Sequence, residues 1–151
     1  MLQKQTIIFD LDGTLADITK RKKLATKDNR KMNWDVFFNP INIGLDEPNL
    51  PVINILKSLE KEYLICVFSG RDDISLSETT QWLNKYEIFP HILKMRDHGN
   101  YTPDDILKNT WLNELQSDGF SVMCAFDDRD KVVKMWRESG IPCMQVNYGN
   151  F

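Results

Sequence analysis

Two aspartates flanking a single leucine are the first residues that could do chemistry. Asp10-Leu11-Asp12-Gly13-Thr14 follows the apolar run Thr6-Ile7-Ile8-Phe9, and carboxylates two positions apart share a pocket when the chain leaves a strand extended. Gly13 then permits a sharp turn. One carboxylate can attack while the other handles protons. At phosphorus a carboxylate is a workable nucleophile, because it is ionised at neutral pH, needs no base and leaves a hydrolysable acyl phosphate. Attack of one anion on another is opposed electrostatically, so a cation has to bridge them. Magnesium suits that task, with Asp10, the Asp12 carbonyl and Asp127 as its protein ligands and Asp128 orienting a ligand or a bound water.

The transferring group also needs donors. Thr14, Ser69 and backbone N–H groups around Leu11, Asp12 and Gly70 could cradle it, and Lys108 could supply fixed positive charge. Asp104 lies one helical turn before Lys108, a spacing that predicts an ion pair aiming the ammonium group.

These residues are far apart in sequence, so a fold must gather them. Tyr63-Leu64-Ile65-Cys66-Val67-Phe68 runs into the turn Ser69-Gly70-Arg71, and Val122-Met123-Cys124-Ala125-Phe126 runs into Asp127-Asp128-Arg129. Both repeat the first pattern, a buried β-rich run ending in polar residues. Weaker strands are predicted at His91 to Met95 and Cys143 to Val146. Helices are predicted from Pro48 to Lys61, Ser77 to Tyr86, Pro103 to Gln116 and Arg129 to Ser139, with Pro48 and Pro103 in first turns and Gly140 with Pro142 as a stop. The alternation predicts an α/β fold, a mostly parallel sheet with helices on both faces, and such sheets bind ligands beyond the carboxyl ends of their strands. Asp10, Ser69 and Asp127 occupy those ends. The stretch from about Asp17 to Glu47 has poor periodicity and is expected to form a small lid inserted after the first strand.

Composition limits the alternatives. A chain of 151 residues, 42% hydrophobic, with a net charge of −3 fits one domain with one core and shows no general preference for polyanions. No run approaches a membrane span, and the N-terminus lacks a signal-peptide pattern, so a cytoplasmic location is expected. Cys66, Cys124 and Cys143 lack metal or redox spacing and read as core thiols; Trp82, Trp111 and Trp136 read as core within helices.

Together, Phe9-Asp10-Leu11-Asp12-Gly13-Thr14-Leu15, Ser69-Gly70-Arg71, Lys108 and Asp127-Asp128-Arg129 resemble the four motifs of the haloacid dehalogenase superfamily of phosphohydrolases. The resemblance implies a Rossmann-like fold, Asp10 as nucleophile, Asp12 as general acid and base, Ser69 and Lys108 as phosphate ligands, and Asp127 as a magnesium ligand. Within that superfamily, the segment from Phe126 to Val146 with Tyr148-Gly149-Asn150-Phe151 looks like the 3′-phosphatase domain of phage-type polynucleotide kinase/phosphatase. Asp104-Asp105-Ile106-Leu107-Lys108 and Met95-Arg96-Asp97 fit the same family, and Arg21 and Arg71 match its substrate-handling arginines. That family joins the phosphatase to a kinase, yet these residues contain no Gly-x-x-x-x-Gly-Lys-Ser/Thr loop. Kinase activity is therefore not expected of them: the expectation is either a stand-alone phosphatase or one with a separate kinase or ligase partner.

The substrate is less constrained. Lys20-Arg21-Lys22-Lys23, with Lys27, Arg30 and Lys31, precedes Trp34, Phe37 and Phe38, a combination that fits single-stranded nucleic acid or, equally, a solvated basic turn beside a packed aromatic cluster. A phosphatase acting on 3′-phosphates of polynucleotides or nucleotides is the leading expectation. A 5′-nucleotidase or other small-molecule phosphatase is the alternative, and a non-catalytic binder of phosphorylated ends is a third reading that Asp12 disfavours.

Overall fold

The computed structural model describes residues 4–27 and 31–151. Five strands form the central sheet: β1 (Thr6–Asp10), β4 (Leu64–Asp72), β5 (Ile92–Arg96), β6 (Val122–Asp127) and β7 (Cys143–Gln145). Their order is β5-β4-β1-β6-β7 and every pairing is parallel. The chain moves outward from β1 through β4 to β5, then returns to lay β6 on the other side of β1. That reversal opens a crevice between the carboxyl ends of β1 and β6, where Asp10 and Asp127 stand.

Period-two alternation divides the core into two layers. Ile7 and Phe9, Ile65 and Val67, and Cys124 and Phe126 face α4 (Leu50–Leu59) and α5 (Leu76–Lys85), which contribute Val52, Ile53, Leu56, Trp82 and Leu83. Ile8, Cys66, Phe68 and Ala125 face α6 (Asp104–Ser117) and α7 (Asp130–Glu138), which contribute Leu107, Trp111, Leu112, Val132, Val133 and Trp136. Phe9 stacks on Phe126 with ring centroids 4.6 Å apart, tying β1 to β6 directly below the crevice. The cysteines and the three tryptophans of the predicted helices are buried, and burial pushes the Cys66 and Cys143 thiols up to about 12.

Sequence and structure differ in three places. Pro51, not Pro48, occupies the first turn of α4, because Pro48 ends a short strand; Pro103 caps α6 from just outside it. Ser69-Gly70-Arg71 is not a turn. β4 continues to Asp72 with a register shift against β5 between Ser69 and Asp72, and Arg96 Nε donates to the Gly70 carbonyl at 2.9 Å in the shifted region.

The third is the secondary structure within the lid interval, which the sequence left unspecified. Ala16–Asp17 (β2) and Glu47–Pro48 (β3) pair antiparallel as its stem, and α1 (Thr19–Ala25), α2 (Trp34–Phe37) and α3 (Pro40–Ile43) lie between them. Helices this short show little periodicity; Asn33 and Asn39 side chains cap α2 and α3.

Candidate active site

The site consists of two charged clusters on either side of Leu11. In the first, Lys108 reaches from α6 to the crevice, its Nζ 2.8 Å from Asp10 Oδ1 and 3.0 Å from Asp127 Oδ2. Asp10, Asp127 and Asp128 bring one carboxylate oxygen each within 4.8 Å of one another, and all are buried. Burial, then the Asp127 charge, push the Asp10 carboxyl well up, with Lys108 pulling against them. Burial and Asp127 likewise push Asp128 up to about 6. Burial alone would lower Lys108, but Asp10 and Asp127 outweigh it and raise the ammonium above its ordinary value. A lysine so placed is always charged.

The two adjacent aspartates are not equivalent. Asp127 Oδ1 accepts the Asp128 backbone N–H at 2.9 Å, and Oδ2 accepts Trp136 Nε1 at 3.2 Å besides Lys108. Both of its oxygens are engaged by protein donors. The Asp128 carboxylate instead lies against Gly13, where any Cβ would collide with Oδ2; Gly13 also has φ +85°. The turn after Asp12 thus needs glycine for both conformation and space.

In the second cluster, Asp12 Oδ1 accepts Arg21 Nη2 at 2.5 Å and Arg71 Nη2 and Nε at 2.6 and 3.0 Å. Burial raises the Asp12 carboxyl, but Arg71 and Arg21 outweigh it and hold it down at about 2. Both arginines are fully buried, and every side-chain nitrogen of each has a protein acceptor. Arg21 Nη1 donates to the Phe37 carbonyl at 3.1 Å, Arg71 Nη1 to Thr79 Oγ1 at 3.1 Å, and the rest to Asp12 and Asp46.

Asp46 is the residue that sequence reading missed. It closes the lid just before β3, with no motif around it, yet its side chain is wholly buried and bridges Arg21 at 2.8 Å and Arg71 at 3.0 Å. Its carbonyl accepts Trp82 Nε1 at 3.1 Å, which fixes the lid to α5. Burial pushes its carboxyl up to about 6 against the pull of Arg21.

The other expected site residues have these partners. Thr14 donates to Asp10 Oδ2 at 3.0 Å and is fully buried, so it orients the carboxylate. Asp104 does not pair with Lys108; its oxygens take Arg96 Nη2 and Arg129 Nη1, because Lys108 finds two carboxylates deeper in the crevice. Ser69 is buried beside Asp10's strand, and its Oγ accepts the Arg71 backbone N–H at 3.2 Å, leaving a hydroxyl proton to donate. The basic run does not form one patch either, since helical spacing distributes it. Lys20 pairs with Glu47, Arg21 points inward, Lys22 sits over the Phe151 ring, and Lys23, Lys27 and Lys31 are exposed. Arg30 lies outside the described residues. Phe37 is buried under Arg21, whereas Trp34 is 57% exposed and stacks on Phe38.

Residues 4–151 match the model of the polynucleotide kinase PNKP phosphatase domain. The chain belongs to this family. It is a phosphatase with the haloacid dehalogenase fold. A protein of Autographa californica nuclear polyhedrosis virus described as a bifunctional polynucleotide kinase/RNA ligase is 33% identical over 141 residues, which is 91% of this chain and 18% of that protein. A chain in the Pnkp1/Rnl/Hen1 RNA repair complex is 34% identical with a TM-score of 0.77, over 98% of this chain and 44% of that one. A haloacid dehalogenase-like hydrolase from Streptococcus pneumoniae, 16% identical, shares the fold over 97% of this chain and 86% of its own, with a TM-score of 0.68. The phosphatase therefore spans less than half the length of its viral relative and of the matching repair-complex chain. No helix among the described residues is long and apolar enough to cross a membrane.

Proposed function

We propose that this phosphatase removes 3′-phosphate from polynucleotide ends in a magnesium-dependent reaction through a phospho-aspartate on Asp10. The charge of the first cluster carries the reading. When all three carboxylates are ionised, they and the one ammonium carry a net charge of −2 in a buried space, which matches one divalent cation, and an all-oxygen ligand set suits magnesium. Asp10, Asp127 and Asp128 are the candidate ligands, with Lys108 shared between Asp10 and Asp127. Bound there, magnesium would screen the repulsion between the carboxylate and the phosphate.

The remaining steps use residues of the chain. Asp10, oriented by Thr14 and Lys108, attacks phosphorus as the bond to the sugar oxygen breaks, and the departing oxygen takes a proton from Asp12. Water then attacks the acyl phosphate, gives its proton to Asp12 and frees Asp10 and inorganic phosphate. Clamped by two guanidiniums, Asp12 is ionised, the state needed for the second step. The first step needs Asp12 protonated, so the pull of the two guanidiniums on it has to weaken when the substrate binds. The family match supports a polynucleotide substrate, and the exposed Trp34 near Lys31 is consistent with it. The kinase or ligase step of end repair would fall to another domain or protein, in keeping with the relatives' names.

The test is phosphate release, with magnesium and with chelator, from matched oligonucleotides bearing 3′- or 5′-phosphate and from 3′- and 5′-nucleotides. Magnesium-dependent release restricted to 3′-phosphates is expected. Preference for a 5′-nucleotide would make the protein a nucleotidase and leave only the mechanism.

A further inference from the structure

A groove of about 520 Å³ runs beside the first cluster, between the lid and the segment 147–151. Its lining includes Gly13 and Asp128, Thr19 and Lys22 of α1, Asn49 and Pro51, and Tyr148 and Phe151. We propose that this groove seats the nucleoside that carries the 3′-phosphate, its base against Tyr148 and Phe151 and its 5′-side phosphodiester at Lys22. The assignment rests on the end-healing reading above and adds to it the surface that distinguishes a nucleotide from any other phosphate ester.

Four observations support it. The groove reaches the Asp10 cluster through Asp128, so a ligand in it has its phosphate end near the nucleophile. The aromatic wall is built into the site: Gly149 packs so tightly on the Asp128 carbonyl and Arg129 that any Cβ would collide, its own carbonyl accepts the Asp130 N–H at 2.8 Å, and Gln145 Nε2 bonds the Asp128 carbonyl at 3.0 Å. Tyr148 is 95% exposed and Phe151 52% exposed, although both are held at the rim of a charged crevice. Lastly, two cations approach the Phe151 ring, Lys22 Nζ at 4.7 Å and the Arg129 guanidinium at 5.4 Å from its centroid, so positive charge and aromatic groups are close together, as single strands require. Asp17, the other acid in the groove, already accepts both Thr19 donors, at 2.9 and 2.5 Å.

The experiment compares kcat/KM for glycerol phosphate, which has no base, a 3′-mononucleotide, and a 3′-phosphorylated dinucleotide, in wild type, Tyr148→Ala, Phe151→Ala and Lys22→Ala. The aromatic variants should lose about tenfold on both nucleotide substrates relative to glycerol phosphate, through KM. Lys22→Ala should lose selectively on the dinucleotide, and that loss should shrink as salt rises. Unchanged ratios in all three variants, or equal losses on all three substrates, would overturn the groove assignment while leaving the end-healing reading intact. A wild type that hydrolyses glycerol phosphate but neither 3′-phosphorylated substrate would instead remove the end-healing reading and the groove's occupant with it.

Discussion

The two charged clusters flank the same leucine and are built on opposite plans. Around Asp12, two guanidiniums meet two carboxylates, Asp12 and Asp46, and the charges cancel with nearly ideal hydrogen bonds. Around Asp10, three carboxylates share one ammonium. Burial of charge is tolerated only where partners complete it; the first arrangement is balanced and the second carries more carboxylates than cationic partners. The balanced cluster is a structural clamp, joining Arg21 and Asp46 of the lid to Asp12 and Arg71 of the core. On the proposed function, a divalent cation would balance the Asp10 cluster.

The largest expected effect separates activity from stability. Asp10→Asn should lower turnover by at least about 10³-fold, because an amide cannot form the acyl phosphate. In chelator the same variant should be no less stable than wild type in urea unfolding, since it removes one of the crowded anions. Near-normal turnover would discard Asp10 as the nucleophile; a large destabilisation would show that its cluster is not overcharged.

The balanced cluster should respond the other way. Asp46→Asn leaves two buried guanidiniums short of an acceptor and should cost about 3–5 kcal/mol in urea unfolding, with lost activity following the loosened lid. Replacing Lys20, whose bond to Glu47 is fully exposed, should produce no measurable change. Equal effects from these two substitutions would refute the clamp.

The smallest effect is the dependence of stability on pH. Asp12 is depressed from 3.8 to about 2, so its share of stability is fully present above pH 3.8 and lost as pH falls toward 2. Asp46 and Asp128 are raised from 3.8 to about 6, so their ionisation subtracts stability as pH climbs from about 4 to about 6. Saturating magnesium should abolish the Asp128 part of that decline and leave the Asp46 part. Urea midpoints between pH 2.5 and 7, with magnesium and with chelator, would show it; a decline untouched by magnesium would place its source outside the first cluster.

Much of the first cluster was readable from local patterns. Asp10, Ser69 and Asp127 each end an apolar run, and a parallel sheet sends such ends to one edge, so their convergence followed from strand rhythm and motif spacing. Lys108 came from the motif alone, because one lysine on a helix carries no periodic signal. The lid was legible only as an irregular interval. Its helices are too short for periodicity, and the sign of its basic run was read without the direction each side chain takes around α1.

The order of strands and helices, the acidic ends and the family resemblance were properties of the chain itself, because alternation, turn residues and motif spacing are local. Which carboxylate keeps which partner was decided by packing. Lys108 abandons Asp104 for Asp10 and Asp127, Thr14 turns to Asp10, and Asp46 crosses from the far end of the lid to join two arginines. Buried charges take the partners that three-dimensional closure offers, and an interval of 25 residues between Asp46 and Arg71 gives no local sign of such a bond.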